Sequence, residues 1–272
     1  MTKTIIITGA SDGIGAAAAR RLSKDGHRVV VVGRSQSKTC GIATEIGAEY
    51  YLADFADLAQ VRALATVLLT KYPSIDVLAN NAGGIMGART MTVDGNEMTF
   101  QVNHLAPFLL TSLLMPSLVA GHATVIQTAS AAARFFGKFN INDLQNAQDY
   151  APQTAYGNAK LANILFTKEL QRRYGDQGIT AVSFHPGIVA TSFASDTTHA
   201  MRRLYHGPLK RLFTISPTKG ADQLVWLAEG TAGTTFEPGG YYESKKIAKK
   251  VNADMNDATL ARALWERSEA LV

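Results

Sequence analysis

Cysteine is nearly absent from this chain of 272 residues, Cys40 being the only one. That excludes an intrachain disulfide and a cysteine-rich metal cluster, and it suits a reducing compartment. With no motif around it, Cys40 reads as a small structural thiol in a loop or helix start rather than a nucleophile. Long apolar runs are scarce as well. None approaches the roughly 20 residues that cross a bilayer, and no charged leader with an apolar core precedes the first strand at Thr4. The expectation is a soluble, cytoplasmic protein without a membrane span. Internal repeats, low-complexity linkers and composition breaks are also missing, so residues 1–272 read as a single domain. The net charge of +5 is not gathered into one stripe. Apart from Lys245, Lys246, Lys249 and Lys250 and a group between Arg202 and Arg211, Lys and Arg are scattered, which is too little for nucleic-acid binding. A phosphate-rich small ligand accounts for the excess of positive charge equally well.

What is present begins with Thr4-Ile5-Ile6-Ile7-Thr8, a short β-branched run followed at once by Gly9-Ala10-Ser11-Asp12-Gly13-Ile14-Gly15 and an alanine-rich helical stretch to Lys24. Strand, glycine loop and helix in that order make a phosphate cradle. The helix start offers unpaired N–H groups to an anion, and glycines let the backbone approach it closely. The spacing G-x-x-x-G-x-G departs from the more general G-x-G-x-x-G, although the mechanism is the same. Further apolar runs at Arg28–Val32, Glu49–Asp54, Asp76–Ala79, Ala123–Thr128 and Ile179–Phe184 alternate with helical patterns. Such alternation predicts an α/β fold, a doubly wound Rossmann sheet of about seven mostly parallel strands.

The second run ends in Gly33-Arg34-Ser35, where an acid would accept the ribose 2'-hydroxyl of NAD. No acid stands there. Arg34, with Ser35 beside it, is suited to a 2'-phosphate, so NADP(H) is the expected cofactor. Asp54, followed by Phe55, is placed to meet an adenine ring or to cap the next helix. Asn80 reads as a tie between neighbouring strands, while Asn81, Ala82 and Gly83 allow backbone to pass close to a ribose. After the sixth run, His185-Pro186-Gly187-Ile188-Val189-Ala190-Thr191 forms a rigid turn in which Pro186, Gly187, Val189 and Thr191 can meet a nicotinamide carboxamide. His185 belongs to that turn rather than acting as a base.

The chemistry is expected at Tyr156-Gly157-Asn158-Ala159-Lys160, which puts Tyr156 and Lys160 one helical turn apart on the same face. A free phenol, with a pKa of about 10, exchanges its proton poorly at neutral pH; a neighbouring ammonium favours the phenolate and makes it a usable acid or base. The same spacing also occurs on ordinary solvated helices. Ser130 stands just past the fifth strand, on the edge where parallel sheets bind ligands, and can hold a substrate oxygen. Asn103 lies in a long apolar helical pattern from Asn96 to Val119, bent near Pro107, and needs a hydrogen-bonding reason to be there. His104 reads as a packed histidine.

Taken together, Thr8-Gly9 through Gly15, Asn80 to Gly83, Asn103, Ser130, Tyr156, Lys160 and Pro186-Gly187 resemble the short-chain dehydrogenase/reductase family over essentially the whole chain. Asn103-His104-Leu105, Lys160 through Thr167 and Leu264-Trp265-Glu266-Arg267-Ser268, with a wide interval between Ser130 and Tyr156, look like its retinol-dehydrogenase-like branch. The resemblance implies hydride transfer with a nicotinamide cofactor and a catalytic tetrad of Asn103, Ser130, Tyr156 and Lys160. In it Lys160 and Tyr156 also touch the cofactor, joining Gly9, Ser11, Asp12, Gly13, Ile14 and Gly15. Ala159 replaces the serine often found in this branch. The branch's membrane anchor is not expected here, which argues against a retinoid substrate.

The expected reaction is reduction of an aldehyde or ketone, or oxidation of the corresponding alcohol, on an apolar substrate. Arg134, Phe135 and Phe136 after Ser130, and a lid over 191–216, suggest that substrate class. A homodimer or homotetramer through the long helices around Asn103 and Lys160 is the expected assembly. Two rivals are a sugar-nucleotide epimerase or dehydratase of the wider superfamily and a non-enzymatic, NADP-responsive binding protein.

Overall fold

The strands that read as continuous β-branched runs are the ones buried on both faces, and they form the centre of the sheet. In the computed structural model, which describes residues 2–187 and 215–272, the strands are β1 (Thr4–Thr8), β2 (Arg28–Gly33), β3 (Glu49–Leu52), β4 (Val77–Asn80), β5 (Thr124–Thr128), β6 (Thr180–His185), β7 (Tyr241–Glu243) and β8 (Lys246–Ile247). Their order across the sheet is β3-β2-β1-β4-β5-β6-β7-β8. All pairings are parallel except β7 with β8. The doubly wound sheet is thus as expected, with one short antiparallel edge strand added. Ser244 and Lys245, both at positive φ (51° and 61°), make the two-residue turn that sends β8 back along β7.

Successive residues of a strand face opposite layers. Ile5 and Ile7 pack against one layer with Ala16, Ala19 and Leu224; Ile6 packs into the other with Leu78, Leu110 and Phe166. The first layer contains α1 (Gly13–Lys24), α2 (Gln36–Ile46) and, near the C-terminus, Pro217–Glu229; the second contains α3 (Leu58–Lys71). Cys40 sits inside α2 and is free.

The apolar stretch expected as one bent helix is three consecutive pieces. A single turn, α4 (Met98–Phe100), leads into a wide π-turn over Gln101–Leu105 and then into α5 (Ala106–Ala120). Pro107 falls in the first turn of α5. Having no N–H to bond the carbonyl four residues back, it fits the loosening of the turn that carries Asn103 and His104.

By length and composition, Met98–Ala120 is apolar enough to cross a membrane, contrary to the expectation from the sequence. It is instead largely a core helix. On one side it meets α3, and on the other it meets α7 (Pro152–Tyr174), which follows the short α6 (Ala132–Phe135). With Pro217–Glu229 as α8, the terminal helix Ala258–Leu271 is α9. Trp265 of α9 completes a triangle of rings with Phe108 of α5 and Phe166 of α7, its centroid 5.0 and 5.6 Å from theirs while those two lie 5.3 Å apart. The helix faces expected to carry an oligomer interface thus have part of their surface covered by the chain's own terminal helix.

Candidate active site

The order of strands reverses between β1 and β4, and the residues singled out in the sequence gather at the carboxyl ends of these and neighbouring strands, where doubly wound sheets bind ligands. The loop after β1 is built for close approach. Gly9 has φ +65°, and a Cβ there would lie 2.7 Å from the Cα of Ala82; one on Gly15 would lie 2.4 Å from the Gly9 carbonyl oxygen. Helix α1 therefore starts hard against the loop, with Gly13 and Ile14 in its first turn and Asp12 as its cap, accepting from the Gly13 N–H at 2.7 Å. A cleft of about 550 Å³ runs beside Ser11, Asp12, Gly13, Lys38 and Thr218.

Thr8 and Asn81 lash this loop to β4. Thr8 Oγ1 accepts from the N–H groups of Asn81 (3.0 Å) and Ala82 (3.1 Å), and Asn81 Nδ2 donates to the carbonyls of Thr8 (3.0 Å) and Gly9 (3.3 Å). The Asn81 amide is thus spent on holding the cradle in shape. Asn80 similarly donates to Thr111 Oγ1 at 2.9 Å, joining β4 to α5.

At the end of β2, Arg34 is 76% exposed and its Nη1 lies 3.9 Å from Asp54 Oδ2. Ser35 caps α2. Asp54 Oδ1 accepts from the Ala56 N–H at 3.0 Å, a local turn; the cap of α3 is Asp57 instead. Phe55 is 5% exposed and its side chain belongs to the core with Leu58 and Val61, so only its backbone is left to meet a ligand. Lys38, on the first turn of α2, had not been singled out. Its position one helical turn beyond Arg34 was the available signal.

Two of the four tetrad residues, Asn103 and Lys160, meet at Gly83, and Tyr156 stands beside Lys160. A Cβ on Gly83 would lie 2.4 Å from Asn103 Oδ1 and 3.0 Å from Lys160 Nζ, so only glycine lets both side chains converge there. Asn103 is fully buried. Its Nδ2 donates to the carbonyls of Gly84 (2.9 Å) and Thr99 (2.8 Å), and its Oδ1 accepts from the Gly84 N–H (3.1 Å), which supplies the hydrogen-bonding reason the sequence demanded. Lys160 is 2% exposed and donates to the Thr128 carbonyl at 3.0 Å. Its Nζ is 5.6 Å from the centroid of the Tyr156 ring, itself buried. Every residue from Ala155 to Thr167 is buried. The pair is therefore a core pair, not a solvated helix pair.

Burial has a second consequence. It lowers the Lys160 pKa from its ordinary 10.5 to about 7. The sequence reading assumed a fixed ammonium at this position; desolvation makes it a group that titrates near neutrality. Ser130, half-buried, accepts from the Ala132 N–H at 3.2 Å and so opens the turn into α6. That helix rests directly on the neighbour of Tyr156, since a Cβ on Gly157 would be 2.9 Å from the Ala132 carbonyl oxygen.

Two histidines stay outside the chemistry. His104 lies in the π-turn with Nδ1 3.3 Å from Asn163 Oδ1 and Nε2 2.9 Å from Ser268 Oγ, and desolvation pushes its pKa down to about 4. His185, at the end of β6, is likewise lowered to about 4 by burial and by the charge of Arg134. Both are neutral near pH 7. Pro186 and Gly187 follow directly, Gly187 at φ +92°. Val189, Thr191 and almost all of the expected lid lie outside the described residues.

The cradle and its surroundings fit a nicotinamide dinucleotide. Gly9 and Gly15 let the loop after β1 close tightly on Ala82 and on the start of α1, which offers N–H groups to an anion such as a pyrophosphate; the cations Arg34 and Lys38 stand at the end of β2 and in the first turn of α2, and Tyr156 and Lys160 lie on α7.

Comparison with known proteins agrees with this geometry. The family model for short chain dehydrogenases matches residues 3–202. A candidate daunorubicin C-13 ketoreductase, DnrU, from Streptomyces sp. (strain C5) is 41% identical over 99% of this chain and 92% of its own length. Retinol dehydrogenase 14 of Mus musculus is 36% identical over 99% of this chain and 86% of its own. Among solved structures, an uncharacterised protein from Mycobacterium paratuberculosis superposes with a TM-score of 0.77 at 31% identity, covering 99% of this chain and 92% of that one. The chain is a carbonyl/alcohol oxidoreductase of the short-chain dehydrogenase/reductase family, in its retinol-dehydrogenase-like branch.

Proposed function

We propose that the protein is an NADP(H)-dependent reductase of an apolar aldehyde or ketone, running in reverse as an alcohol dehydrogenase. The observation that carries this reading is the convergence of buried Lys160 and Asn103 on Gly83, with Tyr156 beside Lys160. The nicotinamide, when bound, supplies or takes the hydride. Ser130 Oγ holds the substrate oxygen, and Tyr156 Oη gives that oxygen a proton in reduction or takes one in oxidation. Lys160, able to gain or lose its own proton near neutrality, keeps the phenol and phenolate close in energy. Asn103 fixes the Gly83-Gly84 backbone and thereby one wall of the site.

Support for NADP(H) is the cation Arg34, and no acid, at the end of β2. Support for an apolar substrate is the exposed pair Phe135 and Phe136 (65% and 47%) on the helix that follows Ser130. A reducing cytoplasm suits the single free Cys40. Trp265 covers part of the α5–α7 face, so a homodimer or homotetramer through these helices would use the part that α9 leaves uncovered.

The test is NADPH oxidation by purified protein across aldehydes, ketones, quinones and retinal, with NADH and Tyr156→Phe as controls. Tyr156→Phe should bind NADPH as the parent does and lose about 100-fold or more in turnover. Undiminished turnover would remove Tyr156 from its role, and cofactor binding without turnover on any carbonyl would favour a binding protein.

A further inference from the structure

We propose that Asp12 sets how strongly the site prefers a 2'-phosphorylated nucleotide, by an ion pair with Lys38 that competes with the phosphate. The inference rests on the NADP(H) reading of the same site and concerns one residue that tunes it.

Three segments meet at one rim. A Cβ on Gly33, the last residue of β2, would lie 2.9 Å from Ser11 Cβ and 2.4 Å from Thr39 Oγ1, so the loop after β1, the end of β2 and the first turn of α2 are in contact. Among the described residues, Lys38 and Arg34 stand on this rim, each with an acid, and Arg20, paired with Glu45, lines the same cleft. Lys38 Nζ is 2.9 Å from Asp12 Oδ2, and Arg34 Nη1 is 3.9 Å from Asp54 Oδ2. The Asp12 carboxylate does not swing freely, because its other oxygen accepts from the Gly13 N–H at 2.7 Å as the cap of α1. Lys38 and Asp12 are 57% and 54% exposed, so a ligand can reach them.

A phosphate drawn to Arg34 and Lys38 competes with Asp12 for the Lys38 ammonium and sits near a carboxylate of its own sign. A nucleotide without that phosphate leaves the pair intact. Asp12 is thus a brake on 2'-phosphate preference, in a loop whose other residues favour anions. Asparagine caps a helix as well as aspartate does, so Asp12→Asn removes the charge and keeps the cap.

The experiment is calorimetric titration of the purified protein, without turnover, using 2',5'-ADP and 5'-ADP as probes. Asp12→Asn should raise the preference for 2',5'-ADP over 5'-ADP by about threefold to tenfold, as expected for one partly exposed charge. In a Lys38→Gln background that gain should shrink, and it should fade at high salt. Equal effects of Asp12→Asn on the two probes, or none, would overturn the proposal. If the parent still favours 2',5'-ADP and Arg34→Ser abolishes that preference, the NADP(H) reading survives such a result. If the parent binds both probes alike and Arg34→Ser changes nothing, the NADP(H) reading falls and the proposal with it.

Discussion

Replacing Lys160 by methionine should make the protein more stable and nearly inactive. Methionine keeps most of the apolar stem and discards the charge. Burial lowers the Lys160 pKa from 10.5 to about 7, so the folded protein holds this proton less tightly than the unfolded chain does. At about 1.4 kcal/mol per pH unit the difference amounts to roughly 5 kcal/mol below pH 7, and about 4 kcal/mol at pH 7 itself. Against this, the Thr128 carbonyl loses its donor, at a cost of about 1–3 kcal/mol. The variant should therefore gain about 1–3 kcal/mol at neutral pH, a rise of a few degrees in Tm for a chain of this size.

The sign with pH follows from the proton count. Between about pH 7 and 10.5 the unfolded lysine binds more protons than the folded one, so the parent's stability climbs with pH through that window. The variant has no such group. Its advantage is full below pH 7 and disappears towards pH 10.5, where only the lost bond to Thr128 is left. Urea unfolding of both cofactor-free proteins from pH 6 to pH 9 measures the gap, and carbonyl reduction measured alongside should fall by about 100-fold or more. A gap that does not change with pH, or a variant less stable than the parent at pH 6, would refute the claim that Lys160 is held against its own desolvation.

Three further outcomes are expected. Gly83→Ala would bring a Cβ within 2.4 Å of Asn103 Oδ1; turnover should drop at least about tenfold, with an overpacking cost of about 1–3 kcal/mol in thermal unfolding. Trp265→Ala should cost about 3–5 kcal/mol, because it removes the large ring packed on both Phe108 and Phe166, and analytical ultracentrifugation will show whether the uncovered α5–α7 face then self-associates. In initial-rate profiles, reduction should weaken and alcohol oxidation strengthen as pH rises through the apparent pKa of the Tyr156–Lys160 pair, because the first consumes its proton and the second returns one.

The central sheet was legible because parallel strands covered on both faces need apolar residues at every position, and Ile5-Ile6-Ile7 and Val29-Val30-Val31-Val32 supply them without interruption. The cradle was legible for a related reason, since its glycines are required by local backbone geometry at Gly9 and Gly15. Where a role depends on which way a side chain turns, adjacency in sequence was a poor guide. Phe55 follows Asp54 yet points into the core, and Asn81, expected beside a ribose, spends its amide on Thr8 and Gly9. Two-residue β8 and four-residue α6 are too short for any period to show.

The deeper limit lies at Lys160 and Trp265, whose roles are set by distant parts of the chain. A tyrosine and a lysine four apart look the same on a wet helix as on a dry one; it is burial of the whole run from Ala155 to Thr167 that turns this pair into chemistry. Part of that burial comes from α9, which packs on α7 and reaches the π-turn through Ser268 and His104. A helix at the C-terminus thus helps keep water from a site encoded at positions 83, 103, 156 and 160. The start of α9 is fixed locally, by Asp257 accepting from the Thr259 and Leu260 N–H groups, but a docking partner about a hundred residues away leaves no local signal. The same contacts explain why a stretch, Met98–Ala120, apolar enough for a membrane sits in a sheet's outer layer: its face is closed by α3, α7 and α9 together, and removing any one of them would expose surface that water opposes.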